Sequence, residues 1–297
     1  MMPSLALRRT ALSLIALMTG MGPTILLAQD APSPAQDDRI VVEGRRAGEL
    51  ARLIENLAPL RGGRQIAKWE WSVCVGVVGL EAGHAGFLRD RIEATARTLK
   101  IPVDAKRDCE PNIVIVFTDR PRDVLLDIRK RAPELLRDPQ YGFARKSEWE
   151  ELLMPRPVTW MGLDEIDLSE AGGAVSRLRK QTRQRLVKTV AVIDAGDIAD
   201  VTWGQLGDYL CLVTLSRPKL VPNYESSTIL GLFGLRDRSR TDPALRPVLK
   251  SLAMTQIDRS VLANLYAMDG RRPALTQRKI LRAGVAKDLG EKDLGTK

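Results

Sequence analysis

The chain has 297 residues, a net charge of +9, three cysteines and one histidine, His84. A single imidazole excludes a zinc centre built on three histidines, because catalytic zinc takes three protein ligands around an open position. The length suits one sizeable domain with its own core, or a domain with an appendage.

Residues 1–28 have the layout of a secretory signal peptide. Arg8 and Arg9 form a positive start, Ala11–Met18 is apolar, and Leu26-Leu27-Ala28 ends in a small residue. The apolar run is too short, and too interrupted by Gly20, Gly22 and Pro23, to be a good membrane span. Cleavage after Ala28 is expected to leave a soluble periplasmic or secreted protein. It removes two positive charges and leaves +7. Residues 29–65 read as a disordered leader or tether. Asp30–Asp38 is rich in Pro, Ala, Ser and Asp, and Ile40–Arg46 is a tether or an added edge strand.

Residues 66–270 read as a single α+β domain. The alternating, β-branched run from Trp71 to Val78 predicts a strand. Ala85, Leu88, Ile92, Ala96 and Leu99 then recur at helical spacing. Asn112–Thr118 is a continuous apolar strand of the kind buried on both faces, which completes a β-α-β start. A helix follows over Pro121–Arg131, and Ser147–Glu150 has the form of a capping box. Pro157–Met161 reads as an edge strand flanked by prolines, Asp164–Gln184 as a polar surface loop, and Thr189–Asp194 as a strand. Thr202–Gln205 caps a helix that is apolar nearly all round and hence central and buried. A helix starting near Thr255 carries Ile257, Val261, Leu262 and Leu265, and residues 271–297 read as a basic tail with a helix over Thr276–Lys287.

The cysteines suit an oxidising compartment. Cys74 lies in one predicted strand and Cys109 just before its neighbour, so the two are expected to form a disulfide, whereas Cys211 reads as a buried small hydrophobe. Arg177, Arg179, Lys180, Arg183, Arg185 and Lys188 form an acid-free basic run, a candidate site for an anionic envelope polymer or a solvated loop. The run has no interleaved aromatics, which argues against a base-stacking nucleic-acid platform.

The segments Leu206–Arg217, Ser226–Phe233 and Leu252–Tyr266, following a β-α-β start, resemble the active-site helix, methionine turn and last helix of the metzincin (matrixin-like) peptidases. In that family H-E-x-x-H-x-x-G places two histidines on one helical face with a glutamate as general base. Here Gly207 and Cys211 stand at the histidine positions, Asp208 at the glutamate and Thr214 at the glycine, while Ile229 or Leu230 replaces the methionine. The resemblance implies a metzincin-like mixed sheet with a central buried helix and C-terminal helices, but carries over no zinc ligand, no cofactor and no catalytic residue. The function it implies is that of a non-catalytic envelope protein that binds a partner.

The alternative is a hydrolase using chemistry other than three-histidine zinc. Asp208 and Cys211 share a helix face and could form a two-ligand metal remnant, or Asp208 could anchor the buried helix by hydrogen bonding. His84 with Glu81 and Ser72 would be a triad only if the fold joins them. Asp194, Asp197 and Asp200 could bind a hard cation, although their spacing does not match an EF-hand loop.

Overall fold

The computed structural model describes residues 47–106, 108–136, 146–168, 180 and 182–290. A four-stranded mixed sheet forms its middle layer, in the order β1 (Val75–Val78), β2 (Ile113–Thr118), β4 (Arg183–Asp194), β3 (Val158–Asp167). β1, β2 and β4 are parallel, and β3 runs antiparallel along the outer edge of β4. The α+β class and the β-α-β start are therefore as the sequence predicts.

Strand alternation distributes the core between the two faces. Ile113, Ile115, Phe117, Ala191 and Ile193 face the larger core. That core is closed by α1 (47–57), α2 (Ala82–Thr98), α5 (Trp203–Ser216), α6 (Leu232–Thr241), α7 (Arg246–Ser251), α8 (Gln256–Ala267) and α9 (Ala274–Asp288). Val190, Val192 and Met161 face the other way, against Leu125 of α3 (Pro121–Arg131) and Trp149 and Leu152 of α4 (Lys146–Leu152). The antiparallel pair β3–β4 holds a bulge at Leu163/Asp164, where Val187 of β4 has no opposite residue.

The structure corrects three sequence expectations. The leader does not extend to residue 65, because Leu50, Ile54 and Leu57 of α1 lie in the main core. An amphipathic turn pattern follows a polar leader there, and the leader's composition obscured it. The stretch 164–184 is not loop throughout: β3 continues to Asp167 and β4 begins at Arg183. Charged side chains hide these strand ends, because Arg183 and Arg185 are matched by Asp167 and Glu165 across the pair. The terminal helix is not an appended tail, since Leu281 and Val285 of α9 are buried with the main core. Within it, buried Gln277 accepts the Ile66 N–H at 2.7 Å and donates to the Gly270 carbonyl at 2.8 Å. Arg282 of α9 also pairs with Glu55 of α1. The opening and closing segments of the domain thus meet.

The Cys74–Cys109 disulfide forms, with Cα atoms 6.1 Å apart. It joins the entry to β1 with the approach to β2, beside the Asn112 side chain that accepts the Cys74 N–H at 2.8 Å. Among the described residues no helix is long and apolar enough to cross a membrane.

Candidate functional site

α5 is the structural centre of the molecule. Its capping box is present as predicted: Thr202 Oγ1 accepts the Gln205 N–H at 3.2 Å and Gln205 Oε1 accepts the Thr202 N–H at 3.0 Å. The helix ends at Arg217, which adopts a left-handed conformation with φ 50°. Gly207, Asp208 and Cys211 all face α2 and not a cleft. The Arg91 side chain lies across Gly207, so close that a Cβ there would stand 2.5 Å from Arg91 Cδ. That approach brings Arg91 Nε and Nη2 to 2.9 and 2.6 Å from Asp208 Oδ1. Asp208 Oδ2 accepts the Met254 N–H at 2.9 Å, joining α2, α5 and the approach to α8 through one buried carboxylate. Cys211 lies 3.3 Å from Thr95 Oγ1, and burial pushes its thiol up to about 12. A thiol held protonated in a helix interface is neither nucleophile nor metal ligand. Asp208 therefore anchors the helix, and the two-ligand metal remnant is not assembled.

The other sequence candidates are likewise occupied. His84 stacks on Trp203 with ring centroids 4.3 Å apart and stands 3.8 Å from Glu81. It has no hydroxyl partner among the described residues, and Ser72 contributes only its carbonyl, to Asn112 Nδ2. Asp194 caps Gly196, Asp197 holds the buried guanidinium of Arg236 at 2.9 Å, and Asp200 pairs with Arg240 at 3.1 Å. Among the described residues no three His, Cys, Asp or Glu side chains converge to hold a metal ion.

Among the described residues the basic run is largely taken up by ion pairs. Arg177 and Arg179 lie outside the described residues. Arg183 is held by Asp167 at 2.7 Å and Glu70 at 2.8 Å, and Arg185 by Glu165 at 2.5 Å. Lys180 gives its backbone N–H to the Arg271 carbonyl, and Lys188 lies on β4 opposite Leu163. Arg183 and Arg185 are held by cross-strand carboxylates, so neither is a free cation for an anionic ligand.

What the sequence did not reveal is an apolar pocket of about 170 Å³ on the opposite side of α5. Trp160, Tyr209, Tyr224, Leu230 and Phe233 line it, with Met154 and Pro155 at one side. Tyr209 meets Trp160 and Phe233 edge-on, with ring centroids 6.2 and 5.2 Å away. Tyr224 fixes the wall by donating to the Lys219 carbonyl at 2.9 Å. Tyr209, by contrast, has no hydrogen-bond partner for its hydroxyl among the described residues, and burial raises its pKa. No local pattern announces these aromatics, which come from four separate segments.

The pocket lies beside β3, where Val158, Thr159, Trp160 and Met161 are all buried. The Asp194 N–H donates to the Pro157 carbonyl at 2.9 Å, so 157 and 194 are a hydrogen-bonded pair. The antiparallel alternation then turns the backbone groups of Val158, Trp160 and Gly162 away from β4. Gly162 O is taken by Arg217 Nη1 at 2.9 Å. The Trp160 indole N–H donates to the Pro218 carbonyl at 2.9 Å, so the 217–218 segment covers this side of β3 and buries Val158 and Trp160.

No family model, curated protein or solved structure matches this chain.

The turn beside the pocket is held by Asp258 of α8. Its carboxylate accepts from Thr228 Oγ1 at 2.5 Å and from the Ile229 and Thr255 N–H groups at 2.8 and 2.9 Å. Two segments noticed separately in the sequence, Ser226–Phe233 and Leu252–Tyr266, are thus joined by one buried side chain. Burial raises the Asp258 pKa against the pull of these donors.

Proposed function

We propose that this is an exported, non-catalytic binding protein on a metzincin-like scaffold, and that its aromatic pocket holds an apolar side chain of a partner segment. The observation that carries this reading is the aromatic pocket lined by Trp160, Tyr209, Tyr224 and Phe233, with exposed Met154 at one side. A concave apolar pocket of this kind accepts one side chain of a bound segment. The unpartnered Tyr209 hydroxyl supplies one polar contact at the pocket wall. Export is supported by the 1–28 segment and by the disulfide.

The scaffold reading is supported by the order of elements and by the end of α5. A left-handed helix end is the usual place for glycine. If Arg217 stands at the family's glycine, then Leu210 and Thr214 stand at the histidine positions, three residues beyond the frame read from sequence. Both are buried, and Thr214 Oγ1 bonds the Leu210 carbonyl at 2.7 Å. Neither frame supplies an imidazole.

A pool of fluorescein-labelled apolar hexapeptides, read by anisotropy, tests the proposal. Gly234 lines the pocket and has no neighbour closer than 4.0 Å to an added Cβ, so Gly234→Leu fills the space without disrupting the fold. Binding by the wild type and its loss in Gly234→Leu support the reading. Equal binding by both, or cleavage of the bound peptide, overturns it.

A further inference from the structure

A second cavity, of about 490 Å³, lies on another part of the domain and shares no lining residue with the aromatic pocket. It is bounded by the 68–71 segment, the end of α2, the start of β4 and the last turns of α8. The size suits a small organic molecule.

One wall is apolar and stiff. Trp69 is fixed by its indole N–H to the Thr214 carbonyl at 2.8 Å, and Tyr266 by its hydroxyl to the Leu215 carbonyl at 2.7 Å. Trp71 is 51% exposed, and Arg185 lies over one face of its ring at 3.5 Å. The guanidinium holds the indole in place and leaves an aromatic face toward solvent at the cavity wall.

The charges sort into spent and unspent. Lys68 donates to the Met268 carbonyl at 2.5 Å, and Arg183 is shared between Glu70 and Asp167. Lys100 has no carboxylate partner among the described residues, and it lines the cavity from a costly backbone conformation. It has φ 60° at the end of α2, where the Lys100 N–H bonds the Arg97 carbonyl and the Ile101 N–H bonds the Ala96 carbonyl. This is the helix-ending motif that ordinarily takes glycine, because any side chain is strained there. A lysine kept in place of glycine puts a cation at the mouth of an aromatic cavity, and strain of this kind collects at functional sites.

We infer that this cavity binds a small organic acid, its ring or apolar body on Trp71 and its carboxylate on Lys100. The test uses 1-naphthoate, 1-naphthalenemethanol and 1-naphthalenemethylamine with the mature protein, followed by calorimetry and tryptophan fluorescence. The acid is expected to bind about tenfold more tightly than the alcohol, the effect of one charge-assisted hydrogen bond. Lys100→Gly is expected to remove that preference while leaving the melting temperature unchanged or raised, since glycine relieves the strained position. Trp71→Ala is expected to weaken all three probes. No binding of the acid, preference for the amine, or an unchanged acid preference in Lys100→Gly each overturns the inference. Retained hexapeptide binding in Lys100→Gly separates this site from the β3 pocket.

Discussion

Asp208 is the residue on which a catalytic or metal reading of α5 would turn, so Asp208→Ala separates that reading from a structural one. The substitution leaves the Met254 N–H without its acceptor, which costs about 1–3 kcal/mol for a largely buried donor. It also releases Arg91, whose side chain is 38% exposed and can turn to water, so that ion pair is discounted to about 0.5–1 kcal/mol. The expected loss is about 1.5–4 kcal/mol, measured as a lower urea midpoint with an unchanged slope. A double-mutant cycle with Arg91→Ala is expected to show coupling of about 1 kcal/mol. Chelator is expected to leave the stability of the wild type unchanged. A loss below about 0.5 kcal/mol, or a wild type destabilised by chelator, would refute the reasoning.

Asp258→Ala strips three buried donors of their acceptor and is expected to cost at least about 3 kcal/mol by the same measurement. Because the folded pKa of Asp258 is raised, the native state holds this proton more tightly than the unfolded chain. Its contribution to stability therefore falls as pH rises through the unfolded value to the raised one, a slope that Asp258→Asn removes from a series of urea melts across acidic pH. A colorimetric thiol reagent at pH 8 is expected to find no reactive cysteine in the native protein and one, Cys211, after unfolding without reductant, since the folded thiol stays protonated up to about pH 12. Reduction of Cys74–Cys109, separated by 35 residues, is expected to lower stability by about 4 kcal/mol in denaturant melts at matched pH.

The parts of the fold that were legible in the sequence were those with strong local periodicity. β2, α2 and α5 read correctly because an apolar run, a 3.6-residue repeat and a capping box each leave a local trace. The far halves of β3 and β4 did not, because their stabilising partners are cross-strand Asp167–Arg183 and Glu165–Arg185 pairs that read locally as polar loop. The site was less legible than the fold. Asp208 was correctly read as a possible anchor, but its partner Arg91 lies 117 positions away in sequence. The aromatic pocket is invisible for the same reason: Trp160, Tyr209, Tyr224 and Phe233 become a surface only when β3, α5 and the following turn are packed together.

The meeting of α1 with α9 carries a consequence for biosynthesis. A chain made from its N-terminus cannot satisfy the Ile66 N–H, or cover Ile54 and Leu57 fully, until Gln277, Leu281 and Val285 have been synthesised. The last helix to be synthesised is therefore the one that completes the main core.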